Sequence, residues 1–172
     1  EGGLGRDELR QLLPPAHQAF VDDILRRYGV PDLPEGERPR GMSMNVSPAG
    51  YEPLLDIAFA HPIRLIASAL GPPPPDVIDR ARAANVKVAA LAGTTAHAVK
   101  HAEAGADIIV AQGSEAGGHT GEVGTMVLVP EVVDAVSPVP VLAAGGIASG
   151  RHMAAAMALG AAGVWTGSVW LT

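Results

Sequence analysis

No cysteine occurs among the 172 residues of the chain. Disulfides, thiolate metal ligands and a cysteine nucleophile are therefore excluded. Basic residues are also in deficit, with 12 Lys and Arg against 18 Asp and Glu for a formal charge of −6. Such a surface repels phosphodiester backbones, and the basic residues form no cluster, so nucleic acid is not an expected partner. No apolar run approaches the ~18 residues that cross a bilayer, and nothing at Glu1 resembles a signal peptide. No membrane association is expected, and the cytoplasm is the expected compartment. A P-loop, a zinc motif and a serine nucleophile elbow are all missing.

Aromatic residues contribute only 3% of the chain, although 48% of it is hydrophobic. The apolar content is mostly Ala, Val, Leu and Ile, which suits buried parallel strands covered by Ala-rich helices. Length alone points to a single domain over residues 1–172. Its texture changes near residue 54. The first part, 1–53, carries a disproportionate share of the charges and two proline-rich stretches, Leu13-Pro14-Pro15 and Val30-Pro31-Asp32-Leu33-Pro34. Within it, Ala19 to Gly29 reads as a short amphipathic helix with Phe20, Ile24 and Leu25 inward and Gly29 as its stop. The remainder of that part reads as loop.

From residue 54 onward short strand-like runs recur at Ile63–Ser68, Val86–Leu91, Asp107–Ala111, Val139–Ala144 and Gly163–Gly167. Helical patterns fall between them at Pro75–Ala84, Thr95–Ala104, Pro130–Val136 and Arg151–Leu159. Asn85, Gly105 and Gly160 supply turns, and Ser137-Pro138 serves after the third helix. Strict alternation at ~20–25 residues per unit means parallel strands joined by right-handed crossovers. No G-x-G-x-x-G follows a strand, whereas glycines stand at the carboxyl ends of the last three strands. The α/β fold expected is therefore a (β/α)8 TIM barrel, with its chemistry at those ends. Only five units are legible, so the chain reads as an incomplete barrel whose first strands and closing helix are missing.

Three segments carry chemistry. The loop Ala111-Gln112-Gly113-Ser114-Glu115-Ala116-Gly117-Gly118-His119-Thr120-Gly121 presents three functional side chains, Gln112, Glu115 and His119, among four glycines. Those glycines let a backbone approach a flat or anionic ligand closely. Ala143-Ala144-Gly145-Gly146-Ile147-Ala148-Ser149-Gly150 frees backbone N–H groups before a helix N-terminus, an arrangement that suits phosphate. Thr166-Gly167-Ser168 follows one unit later, and adjacent glycine-bearing strand ends form the phosphate pocket usual in this architecture. The six histidines match no metal-site spacing, and no metal is expected. His97 and His101 read as a solvated i, i+4 pair on an outer helix, His152 as a surface residue, and His17 and His61 receive no role. Trp165 and Trp170 are expected to pack in the core.

Taken in order, Ala111 to His119, Pro140 to Ile147 and Gly160 to Ser168 closely resemble the nitronate monooxygenase family, formerly called 2-nitropropane dioxygenases. The resemblance covers roughly residues 54–172. The opening Gly2-Gly3-Leu4-Gly5 resembles the family's segment after its second barrel strand, in keeping with absent N-terminal residues. The resemblance implies an FMN-dependent barrel that oxidises alkyl nitronates or small nitroalkanes with dioxygen. It implies that His119 lies near the flavin as base or hydrogen-bond donor. It further implies that Gly145, Gly146, Gly167 and Ser168 hold the FMN phosphate, that Gln112, Gly117 and Gly118 contact the isoalloxazine or ribityl chain, and that Thr94 also touches the cofactor. Two other readings stay open. One is an FMN-dependent NAD(P)H reductase of enoyl or enone thioesters in the same superfamily, and the other a flavin-binding barrel without catalysis. Self-association as a homo-oligomer is left open as well.

Overall fold

The computed structural model describes residues 11–31 and 48–171. The chain divides into two compact units, Glu1–Ile57 and Ala58–Thr172. The opening glycines at 2–5 and most of the second proline-rich stretch lie outside the described residues.

In the first unit, helix α1 spans Pro15–Arg27. It starts four residues before the expected Ala19, because a proline in the first helical turn loses no hydrogen bond and already has a helical φ. Arg27 pairs with Asp23 at 2.9 Å, and Gly29 ends the helix at φ +62°. The expected inward face is only partly covered. Ile24 is half-buried, but Phe20 is 66% exposed and Leu25 is exposed too, and no residue of this helix is fully buried. Helix α2, Pro48–Phe59, begins within residues expected as loop, 48–53. Pro53 inside it disguises the pattern, yet one proline removes a single ladder bond and leaves the rest available.

The second unit is a five-stranded parallel sheet of β1 (Leu65–Ser68), β2 (Lys87–Ala92), β3 (Ile108–Gln112), β4 (Val141–Ala144) and β5 (Gly163–Trp165). Helices α3 (Pro75–Ala83), α4 (Thr95–Glu103), α5 (Thr125–Val136) and α6 (Gly150–Ala158) connect them, and a 3₁₀ turn at Ser168–Leu171 follows. The spatial order of the strands equals their sequence order. An open doubly wound sheet reverses direction at a switch point, whereas serial order is how a barrel is built. Asn85, Gly105 and Gly160 take positive φ, as their turns require.

Alternation along the strands sorts the side chains into two layers. Ala90, Ala92, Ile109, Ala111, Val141 and Ala143 face α4, α5 and α6, where Ala98, Leu128, Val129, Val132 and Ala156 meet them. Ala89, Val110 and Ala144 point the other way, with Leu91, Ile108, Leu142 and Trp165 beside them. A satellite core joins Phe59, Ile63, Ile66, Ile78, Ala81, Val86 and Val88, and Arg80 lies over the Phe59 ring at 4.5 Å.

Helix α5 begins five residues earlier than the expected Pro130. Pro130 forgoes one backbone bond, but Leu128 and Val129 on the preceding turn are fully buried, so packing outweighs the lost bond. His101 also departs from expectation. It is 3% exposed, its Nε2 lies 3.0 Å from Leu91 O, and its buried Nδ1 has no partner among the described residues. His97 is exposed as expected. Trp170, expected in the core, is 78% exposed, its indole N–H donating to Thr166 Oγ1 at 2.9 Å.

Candidate active site

The carboxyl ends of β3, β4 and β5 converge. Gln112, Ala144 and Trp165 pair in register across the three strands, so all three side chains project from the face opposite the helices. In a barrel that face is the interior, and its carboxyl end is where ligands bind. Gln112 continues the Ile108 and Val110 series at the last position of β3.

Beyond Gln112 the chain makes a loop that closes on itself. Gly113 N donates to Ala144 O at 2.9 Å, and Ser114 N to Val123 O at 2.9 Å. The return leg passes over the end of β2, where Gly93 and Gly121 touch backbone to backbone. A Cβ on Gly93 would stand 2.7 Å from Gly121 N. Gly117, Gly118 and His119 lie exposed along this loop.

The loop's base is tied to α5. Glu115 Oε2 accepts from Thr125 N and from Thr125 Oγ1, both at 2.9 Å. The carboxylate thus sits at the helix N-terminus, where unpaired N–H groups and the helix dipole favour negative charge. The Thr125 N–H foremost, helped by Glu115's own N–H and the Thr125 and Ser114 hydroxyls, holds this carboxyl below the usual carboxylate range against slight desolvation.

The glycine pair after β4 lies directly against this loop. Gly145 takes φ +106° and Gly146 φ +68°. A Cβ on Gly145 would stand 2.8 Å from Thr125 Oγ1, 3.1 Å from Gly113 O and 3.2 Å from Ala116 N. Among the described residues, the N–H groups of Gly146 and Ile147 have no backbone acceptor. Ser149 then caps α6 by accepting from His152 N at 3.4 Å. His152 is exposed, as expected, and its Nδ1 accepts from Ala148 N at 3.1 Å. On the β5 side, a Cβ on Gly117 would lie 3.8 Å from Ser168 Oγ, while Gly118 and Gly167 face open space. Backbone donors, glycines with room beside them and a helix N-terminus are the donor set an organic phosphate needs. Gln112 on the interior face suits a polar ring edge.

The sequence-derived residues do not all share one surface. Gln112, Gly113, Gly117, Gly145, Gly146 and Ser168 are brought together by the contacts above. Thr94 caps α4, its hydroxyl oxygen accepting from His97 N at 3.2 Å. Thr125 was not anticipated. A Gly-Thr step before an apolar run is a helix-start signal, which Pro130 masks here. The inward position of Trp165 also escaped a reading that assigned it only to packing.

A serial parallel α/β sheet with glycine-rich loops at the carboxyl ends of its strands is the architecture of barrel enzymes, which bind their ligands at those ends. The sequence model of nitronate monooxygenase matches residues 35–172, and the chain belongs to that family, whose members are flavin-dependent in general. It is 66% identical over 173 residues to a Mycobacterium tuberculosis protein provisionally named monooxygenase Rv1533, covering 100% of this chain and 46% of that protein. It is 41% identical over 135 residues to (3aS,4S,5R,7aS)-5-hydroxy-7a-methyl-1-oxo-octahydro-1H-indene-4-carboxyl-CoA dehydrogenase of Rhodococcus jostii, covering 78% of this chain and 38% of that one. Among solved structures, nitroalkane oxidase from Streptomyces ansochromogenes superposes with a TM-score of 0.67 at 35% identity, over 71% of this chain and 38% of the other. The chain thus spans less than half the length of each of these relatives. Among the described residues no helix is long and apolar enough to cross a membrane, and no group of three or more His, Asp or Glu could hold a metal ion.

Proposed function

We propose that this chain supplies the FMN-binding loops and the active-site histidine of an enzyme that oxidises alkyl nitronates or small nitroalkanes with dioxygen. The observation that carries the proposal is the meeting of the loops. Gly145 abuts Gly113 and Ala116, and Gly117 abuts Ser168. One ligand with a phosphate at one end and a flat ring at the other therefore reaches all three segments. The family membership and the likeness to nitroalkane oxidase support the substrate class.

In this reading Gly145, Gly146, Gly167 and Ser168 hold the phosphate, and Gln112, Gly117 and Gly118 border the ring and ribityl chain. In the same reading Thr94 also touches the cofactor. The flavin, when bound, supplies the two-electron acceptor chemistry. His119 accepts a proton from the carbon acid or donates a hydrogen bond to the nitronate oxygen. A neutral nitroalkane must lose a carbon-bound proton, whereas a nitronate has already lost it. Replacing His119 by Asn should therefore lower turnover of the nitroalkane by ~10²-fold or more and that of the nitronate much less. Equal rates for wild type and variant on the nitroalkane, with flavin retained, would contradict the role of His119.

A second reading has its own support. The Rhodococcus relative is named for a coenzyme A thioester. An FMN-dependent reductase of enoyl or enone thioesters would bleach its flavin rapidly with NADPH and ignore nitronates. A barrel that binds flavin without catalysis would respond to neither.

A further inference from the structure

Resting on the flavin reading above, we propose that Thr125 is a positioning residue whose hydroxyl locks the histidine-bearing loop to the glycine-pair loop, so that both grip the flavin as one body. Thr125 opens α5. Its Oγ1 lies 2.9 Å from Glu115 Oε2, 3.1 Å from Gly145 O and 3.4 Å from Ala144 O. A hydroxyl has a single proton to donate, so three acceptors around it must share that proton. The nearer two belong to the two loops, Glu115 to the first and Gly145 to the second. Through this sharing the hydroxyl bridges them.

The packing closes the same joint. Gly113 and Gly145 approach Thr125 from the two loops, and neither has room for a side chain. A Cβ on Gly113 would stand 2.5 Å from Thr125 N, and one on Gly145 would stand 2.8 Å from Thr125 Oγ1. These glycines are therefore needed for contact with Thr125 as well as for contact with a ligand. The same joint places Gly146 against Glu115, whose Cβ would be 3.4 Å from a Cβ on Gly146. If the bridge opens, the N–H groups of Gly146 and Ile147 lose their fixed direction relative to Gln112.

The test uses the full chain freed of flavin and titrated with FMN, binding being read from quenching of flavin fluorescence. Thr125→Val keeps the branched shape and the backbone N–H that Glu115 accepts, but loses the hydroxyl. It should raise the FMN Kd about tenfold or more, while Thr125→Ser, which keeps the hydroxyl, should stay within about threefold of wild type. A residue that merely started a helix would lower the melting temperature of the valine variant and leave its FMN Kd unchanged, and that result overturns the proposal. Should the valine variant fail to melt cooperatively, Glu115→Ala removes the other half of the bridge. A raised Kd there supports the proposal, and an unchanged one overturns it. Wild-type protein that binds no FMN would instead sink the flavin reading itself, and the proposal with it.

Discussion

Gln112 and Ala144 face each other in register at the carboxyl ends of β3 and β4, on the side of the sheet turned away from the helices. A glutamine amide at this position has no helix to pack against and stands beside the glycine pair that follows Ala144. Gln112→Leu should raise the FMN Kd by roughly tenfold, the effect of losing one or two ligand hydrogen bonds. The melting temperature of the flavin-free protein should hardly change. An unaltered Kd would remove Gln112 from the site.

Gly145 and Gly150 make a matched pair for substitution by alanine. Gly145 sits at φ +106° with Thr125 Oγ1 within 2.8 Å of its missing Cβ, whereas Gly150 has nothing within 4 Å. Gly145→Ala should cost more than ~1–2 kcal/mol through left-handed strain and overpacking, and should abolish FMN binding. Gly150→Ala, at the start of α6, should be neutral or stabilise by ~0.5 kcal/mol. Thermal melts of both variants with and without FMN decide the matter. Equal melting temperatures for the two would contradict the crowding at Gly145.

At the opposite end of the sheet, Asp107 joins β2 to β3 through Lys87 Nζ at 2.8 Å and Val88 N at 2.9 Å. Partial desolvation of this carboxyl works to raise its pKa, but the Lys87 ammonium and the Val88 N–H outweigh it and hold it below the usual carboxylate range. Asp107→Ala strands the Val88 N–H and should cost ~1–3 kcal/mol. Lys87→Met leaves an exposed position and should cost less than ~1 kcal/mol. Neither should alter FMN affinity, because both lie at the amino ends of the strands, where barrels keep stability rather than chemistry. A flavin-binding defect in either variant would contradict that division.

His101 links stability to pH. Burial foremost, with a smaller push from His97, drives its pKa below the ordinary imidazole value despite the opposing bond to Leu91 O. The folded state therefore binds this proton less readily than the unfolded state does. Stability is complete above the unfolded-state pKa of ~6.5 and declines as pH falls below it. Melting temperature should drop between pH 7.5 and 5.5, and His101→Gln, which can still donate to Leu91 O, should shrink the drop. The same drop in the glutamine variant would show that other groups cause it.

The strand positions and the turns after α3, α4 and α6 were legible in the sequence because short continuous apolar runs and positive-φ residues are local signals. The serial sheet follows from them, since glycines at strand ends favour a barrel over a doubly wound fold. Prolines hid α2 and the first turn of α5. Pro53 and Pro130 stand inside helices that burial or the remaining backbone bonds sustain. The glycine motifs around Gln112, Gly117, Gly145 and Ser168, which the fold brings together, stand out in the sequence by composition alone. Thr125 does not, because its partners, Glu115 and Gly145, lie on two loops separated by a strand and a helix. The burial of His101 and the exposure of Phe20 and Trp170 likewise depend on what packs against each residue, which no local pattern encodes.

The most direct measurement is the visible spectrum of the purified protein loaded with FMN, first mixed with a nitronate without oxygen and then opened to air. The expected result is a flavin spectrum that bleaches anaerobically and returns with oxygen, faster than free FMN does under the same conditions. A bound flavin that stays oxidised with nitronate but bleaches with NADPH would contradict nitronate oxidation and favour the thioester reductase, and a protein that binds no flavin would contradict the site itself.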